Sequence, residues 1–136
     1  VAGDFREYSS FDLAAALGQK NRGKAFLILS RLIQEGEAPV GLLGSIAWNF
    51  RRLMQVKALE AAGVASNDAM KKLRPPVIFH QVDLFKSQVK SYTLDELREV
   101  FAVMLSTDKA LKSSGLNGRL IMERMILRLC GAGQGA

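Results

Sequence analysis

One cysteine, one histidine, one tryptophan and three prolines are all that 136 residues contain of these types. A lone cysteine excludes an internal disulfide, and with a single histidine it excludes a Cys/His zinc site. A reducing, cytoplasmic setting fits. The few prolines and the two tyrosines argue against a β-sandwich or a disordered chain. No stretch reaches the ~18 uninterrupted apolar residues that a membrane span requires, and no signal-peptide pattern opens the sequence. Catalytic patterns are missing too. There is no Gly-x-x-x-x-Gly-Lys-Ser/Thr loop, so nucleotide hydrolysis is not expected of this segment. The carboxylates are scattered, with no close pair for acid–base work. His80 stands alone. Cys130 lies among leucines, where a thiol is inert. Gly115 and Gly118 mark only a corner between helices. The sequence therefore points to no catalytic residue, no metal site and no cofactor.

What is present is helical pattern. Apolar residues make up 49% of the chain and charged ones 24%, which suits one soluble globular domain with a real core. Apolar spacing is three-and-four almost throughout, and no segment reads as a strand. The sequence predicts an all-α fold, a compact bundle of about six to seven helices. Ser9 or Ser10 caps a first helix that Gly18 closes. Asn21 caps a second, with Ala25, Ile28, Leu29, Leu32 and Ile33 on its stripe and Gly36 at its end. Pro39 suits the first turn of a long third helix, where its missing N–H costs nothing. That helix runs to Ala62, carries Leu43, Ile46, Ala47, Phe50, Leu53 and Met54 on one stripe, spans roughly 35 Å and stops at Gly63. Ser66 caps a short fourth helix. Arg74-Pro75-Pro76 is a firm break. A fifth helix carries Ile78, Val82, Phe85, Val89 and Tyr92 on one face. Thr93 and Glu96 form a capping box for a sixth, which buries Leu97, Val100, Phe101, Met104, Leu105 and Leu111. Asn117 caps a seventh.

In that seventh helix only Glu123, Arg124 and Arg128 are charged after Arg119, filling a wedge of roughly 140°. Leu120, Ile121, Met122, Met125, Ile126, Leu127, Leu129 and Cys130 all call for burial. Such a helix sits between others or enters an interface with another chain.

Two groups of side chains stand out for interaction. The 19 basic and 13 acidic residues leave a charge of +6. The excess is concentrated between Trp48 and Arg74, where Arg51, Arg52, Lys71, Lys72 and Arg74 are candidate phosphate or DNA contacts. The alternative is a solvated helix face. Trp48 flanks the arginine pair off the core stripe, and Phe79 lies off the stripe of the fifth helix. Either could stack on an unpaired base or pack internally. The second group centres on Asp108, whose spacing puts a carboxylate on the apolar stripe of the sixth helix. A buried, unpaired carboxylate is costly, so a base should meet it. Lys112, one turn on, can do so, as can an arginine from another helix: Arg31, Arg52 or Arg124. The pair is either internal or a salt bridge across a subunit interface.

The run Asp108-x-Ala110-Leu111-Lys112-Ser113, the corner at Gly115, and Glu123 ahead of Leu127-Arg128-Leu129-Cys130 resemble the C-terminal domain of the delta subunit of the bacterial DNA polymerase III clamp loader. Phe11 to Leu17 resembles that family's first helix, and Arg22 to Leu32 its second. Gly36-Glu37-Ala38-Pro39, Leu42-Leu43 and Arg51-Arg52-Leu53 resemble its turn and long third helix. The resemblance runs from about Phe11 to Cys130. It implies a collar domain that joins delta-prime and gamma/tau subunits in a ring above primed DNA. Contact with the sliding clamp would fall to missing N-terminal AAA+-like domains, and the parent subunit would belong to the DNA polymerase III holoenzyme. Residues 1–8 would be a linker from that upstream region, 9–130 the helical domain and 131–136 a flexible tail. A free-standing helical nucleic-acid-binding factor is the alternative. It rests on the charge alone.

Overall fold

The computed structural model describes residues 7–113 and 115–131. Most of the expected linker and tail therefore lies outside the described residues. Among the described residues there are seven α-helices and no strand: α1 Ser10–Gly18, α2 Arg22–Gln34, α3 Pro39–Ala61, α4 Ser66–Lys71, α5 Val82–Ser91, α6 Leu94–Ser113 and α7 Gly118–Cys130. A single 3-10 turn, Phe79–Gln81, leads into α5.

Local chemistry sets most of these boundaries. Ser9 accepts from the Asp12 N–H while the Asp12 carboxylate accepts from the Ser9 N–H, so α1 opens on a capping box. Asn21 and Asn117 cap α2 and α7 through their side-chain oxygens. Thr93 and Glu96 form the expected box at the start of α6, at 3.0 and 2.8 Å. Gly36 and Gly63 take positive φ, +93° and +96°, just past α2 and α3. Pro39 occupies the first turn of α3.

The long α3 is the axis of the bundle. It packs on α1, α4, α5 and α6 and touches α7, while α1 packs on α2, α3 and α5. The core is built from Leu13 and Leu17, Ile28 and Leu29, Leu42, Ile46, Phe50 and Leu53, with Leu97 and Met122 closing it. At its centre Tyr92 meets Phe50 edge-on, ring centres 5.4 Å apart. The Tyr92 hydroxyl donates to the Leu17 carbonyl at 2.7 Å. Burial raises its pKa above the ordinary phenol range, with Cys130 and Glu96 adding to the shift.

Several sequence expectations are corrected. Gly18 does not break α1 by adopting a special backbone. It is the last residue of the helix, and Lys20 takes the left-handed position with φ 57°. Glycine is needed at 18 for space, because a Cβ there would lie 2.2 Å from the Gln88 side-chain oxygen. Ser66 does not cap α4. The cap is Ala65, and the Ser66 hydroxyl turns instead to the Glu60 carboxylate near the end of α3. Ile78 is not in the fifth helix, because the Pro75-Pro76 segment continues extended through it, and it is exposed. Tyr92 also lies outside that helix, one residue past its end in extended conformation.

The inward face of α6 is rotated from the one expected. Val103 and Thr107 are buried, whereas Leu105 is 57% exposed. The helix is held between α3 and α7, so its buried face lies between two contact lines rather than on one stripe. The Thr107 hydroxyl is satisfied by the Val103 carbonyl at 2.8 Å. On α7, Leu120 and Leu127 are exposed rather than buried. A single copy of the chain covers only one side of that helix.

Candidate functional site

No group of three or more Cys, His, Asp and Glu side chains able to hold a metal ion occurs among the described residues. No described helix is long and apolar enough to cross a membrane. Among the surface features of the described residues are two larger clefts flanking α3, a smaller one of about 150 Å³ where α3 meets α4 and α5, and an outward ridge on α7.

Arg51 and Arg52 are neighbours in sequence and part company in space, as 100° of helical rotation demands. Arg51 is exposed and borders a shallow groove of about 370 Å³ between α3 and α6. Val40, Leu43, Gly44 and Ala47 form the α3 wall of this groove; Phe101, Met104, Leu105 and Asp108 form the α6 wall. Arg52 turns to the other side. Its guanidinium lies 4.5 Å from the centre of the Trp48 ring and donates to the Pro75 carbonyl at 2.6 Å. Partial burial pulls its pKa below the ordinary value. Phe11 meets the Trp48 ring edge-on at 5.8 Å. These groups line a second cleft, of about 440 Å³, between α1, α3, α5 and the Pro75–Ile78 segment.

The other basic candidates lie further along. Lys71 and Lys72 are exposed at the end of α4. Arg74 is exposed but folds back, donating to the carbonyls of Lys71 and Leu73 at 2.7 and 2.8 Å. The five bases thus fall on at least two separate faces, with Arg51 apart from Arg52. Phe79, in the turn that follows Pro75-Pro76, is 93% exposed. Phe50 is fully buried in the core, while Trp48 stands at the cleft edge.

Asp108 is half-buried at the edge of the α3–α6 groove. Lys112, one turn along the same helix, meets it at 3.1 Å. The rotation of α6 explains why a local lysine suffices: the carboxylate is not carried into the core. Arg124 is exposed on α7. Arg119 reaches from α7 both to Glu123 at 3.3 Å and to the Ser30 hydroxyl on α2 at 3.2 Å. At the other end of α7, Arg22 donates to the Gly131 carbonyl, so α2 and α7 run antiparallel.

Sequence reasoning missed the groove itself. Its signal was present in Gly44 and Ala47, small residues on one side of a long helix. Its polar ends, Arg51 and Asp108, were singled out for different reasons and never joined.

A family profile described as DNA polymerase III delta subunit, C-terminal domain, matches residues 7–129. The chain belongs to that family. Among its relatives is the DNA polymerase III subunit delta of Bacillus subtilis (strain 168), 23% identical over 123 residues. The match takes in 90% of this chain and 35% of that protein. The solved structure of the Bacillus subtilis DNA clamp loader delta protein superposes with a TM-score of 0.71 at 22% identity, over 89% of this chain and 35% of that one. The likeness in structure extends the family assignment to the fold. The chain thus spans about a third of the length of the relatives it matches.

Proposed function

We propose that this chain is an assembly domain of a clamp-loader delta subunit, the collar piece that holds the subunit among its neighbours. The observation that carries the reading is apolar surface left open on separate parts of a domain whose core is already closed. Val40 and Leu105 border the α3–α6 groove, and Leu116, Leu120 and Leu127 stand on or beside α7. Soluble domains seldom leave several such areas uncovered without a partner. The partners would be delta-prime and gamma/tau subunits. Contact with the sliding clamp would belong to the part of the relatives that this chain does not span. A cytoplasmic setting goes with this role. Membership of a family defined as the domain of a larger subunit makes the free-standing nucleic-acid-binding factor the less favoured reading.

Assembly is tested by mixing the full-length subunit with delta-prime and gamma/tau and measuring complex formation by sedimentation at rising salt. Association through apolar faces should persist from low to high salt. Steep loss with salt, of the kind that counterion release produces, would point instead to phosphate binding.

One observation favours an added contact with primed DNA. Phe79 stands almost fully exposed a few residues after the basic end of α4, with Lys71, Lys72 and Arg74. An exposed ring a few residues from exposed cations along the chain suits stacking on an unpaired base near a phosphate chain. Replacing Phe79 by Ala in the assembled loader should weaken binding of a primed template about tenfold, within the ~1–3 kcal/mol that stacking on one base supplies. Unchanged binding would remove DNA from this surface.

A further inference from the structure

We infer that the α3–α6 groove is the seat of an amphipathic helix from a neighbouring subunit. That helix would carry a carboxylate at one end of its apolar stripe and a base at the other. The inference rests on the assembly reading above and adds which surface is used, what fills it and in which direction.

The direction follows from the antiparallel run of the two walls. Pro39 at the start of α3 and Leu111 near the end of α6 both lie against Gly118: a Cβ there would stand 3.0 Å from Pro39 and 3.7 Å from Leu111. Tyr92, just ahead of α6, meets Phe50 further along α3. Asp108 therefore sits at the Val40 end of the groove and Arg51 at the Phe101 end. From Val40 to Arg51 is about 16 Å, three turns of helix.

The floor is apolar and shallow. Leu43 and Met104 supply its base, and Leu105 and Val40 rise from its edges as exposed side chains. At Gly44 there is open space where a side chain would stand. A partner backbone can come close there, as ridge-into-groove packing at 8–10 Å between axes requires. Charge decides the occupant. The Arg51 side chain forms no hydrogen bond or ion pair among the described residues, so its guanidinium is available to a carboxylate. Among the described residues Asp108 is held only by the exposed Lys112, and it can exchange that lysine for, or share it with, an incoming base. A helix lying the other way would bring like charges together at both ends. A second copy of this chain meeting it groove to groove would set one concavity against another, a poor match in shape.

The test uses the full-length subunit with delta-prime and gamma/tau, and three substitutions on the groove. Leu105→Arg and Arg51→Glu should each weaken association about tenfold or more, by loss of an apolar contact or of the end charge. Gly44→Leu fills the open space and favours helix, so it should melt no lower than wild type and still fail to assemble. Arg51→Lys should retain most of the affinity, and Leu120→Arg on the outward face of α7 should leave this contact in place. Wild type that joins neither subunit would overturn the assembly reading. Wild type that assembles, with groove variants that assemble equally well, would overturn the groove and leave assembly standing. Self-association abolished by the same substitutions would overturn the choice of occupant.

Discussion

Gly18 at the end of α1 and Gln88 on α5 are in direct contact. A methyl group at Gly18 would stand 2.2 Å from the Gln88 side-chain oxygen and 2.7 Å from its amide carbon. Gln88 is buried, and that oxygen accepts from the Asn49 amide on α3 at 2.8 Å. Three helices are thus fixed by one missing side chain and one buried amide. Gly18→Ala must push Gln88 off Asn49, leaving buried polar atoms without partners. The expected loss is about 1–3 kcal/mol, read as a lower midpoint in chemical denaturation. Gln88→Ala in the same background should recover part of it by making room.

Arg52 and Arg51 should behave oppositely when cut back. Arg52→Ala removes the cover from the Trp48 ring and a hydrogen bond to Pro75, so it should cost about 1–2 kcal/mol. Trp48 is the single tryptophan, and its emission should shift to longer wavelength in this variant. Arg51→Ala should change stability by less than about 0.5 kcal/mol and leave the emission alone. Equal effects from both would contradict the divergence of the two side chains.

Tyr92 and Cys130 make the alkaline limb of stability. Burial pushes the Cys130 thiol up to about 11, against the partial pull of Arg22 and Lys20, and raises Tyr92 above its usual range. Both groups are held neutral by the fold and ionise more readily once it opens. Their contribution is complete below the unfolded values, about 8.5 for the thiol and about 10 for the phenol. It is lost as pH rises through the folded ones. Denaturation midpoints should fall from about pH 9 upward. Cys130→Ala should remove the lower part of that fall. Thiol reagents at pH 8 should modify Cys130 only at the rate at which the domain opens.

The acid limb has one named contributor. Glu96 accepts from the Thr93 N–H and from Lys20 at 3.0 Å, and these bonds, the backbone one first, hold its pKa below the usual carboxylate range. Its contribution is present above the unfolded value of about 4.3 and disappears as pH falls through the folded one. Thr93→Ala should cost about 1 kcal/mol at neutral pH through loss of the cap. Because alanine keeps the backbone N–H and leaves Lys20 in place, the acid dependence below about pH 4.3 should largely remain in Thr93→Ala and flatten in Glu96→Gln. A titration of stability against pH in wild type and both variants measures this.

Caps and corners were legible because they are local. Asn21, Pro39, Gly36, Gly63, Asn117 and the Thr93–Glu96 box act within four residues, so one sequence suffices to place them. The stripes of α2 and α3 were legible because each has one dominant apolar face. The α6 face was harder. A helix gripped by two neighbours buries the arc between them, and periodicity alone does not say where the neighbours stand. Leu105 and Thr107 exchanged places for that reason. Gly18 was recognised as special for its backbone, when the cause was the approach of Gln88, 70 residues away.

The sequence by itself determined an all-helical chain, its breaks, and a surplus of apolar and basic side chains beyond what one core can use. It did so because caps, proline breaks and three-and-four spacing are written in near neighbours. Only the tertiary structure decided where that surplus lies. Helical rotation separates adjacent residues by 100°, so Arg51 faces a groove with Asp108 while Arg52 is spent on Trp48. Which of two neighbours meets a partner and which serves the fold depends on how α3 is turned against α6, and packing sets that turn.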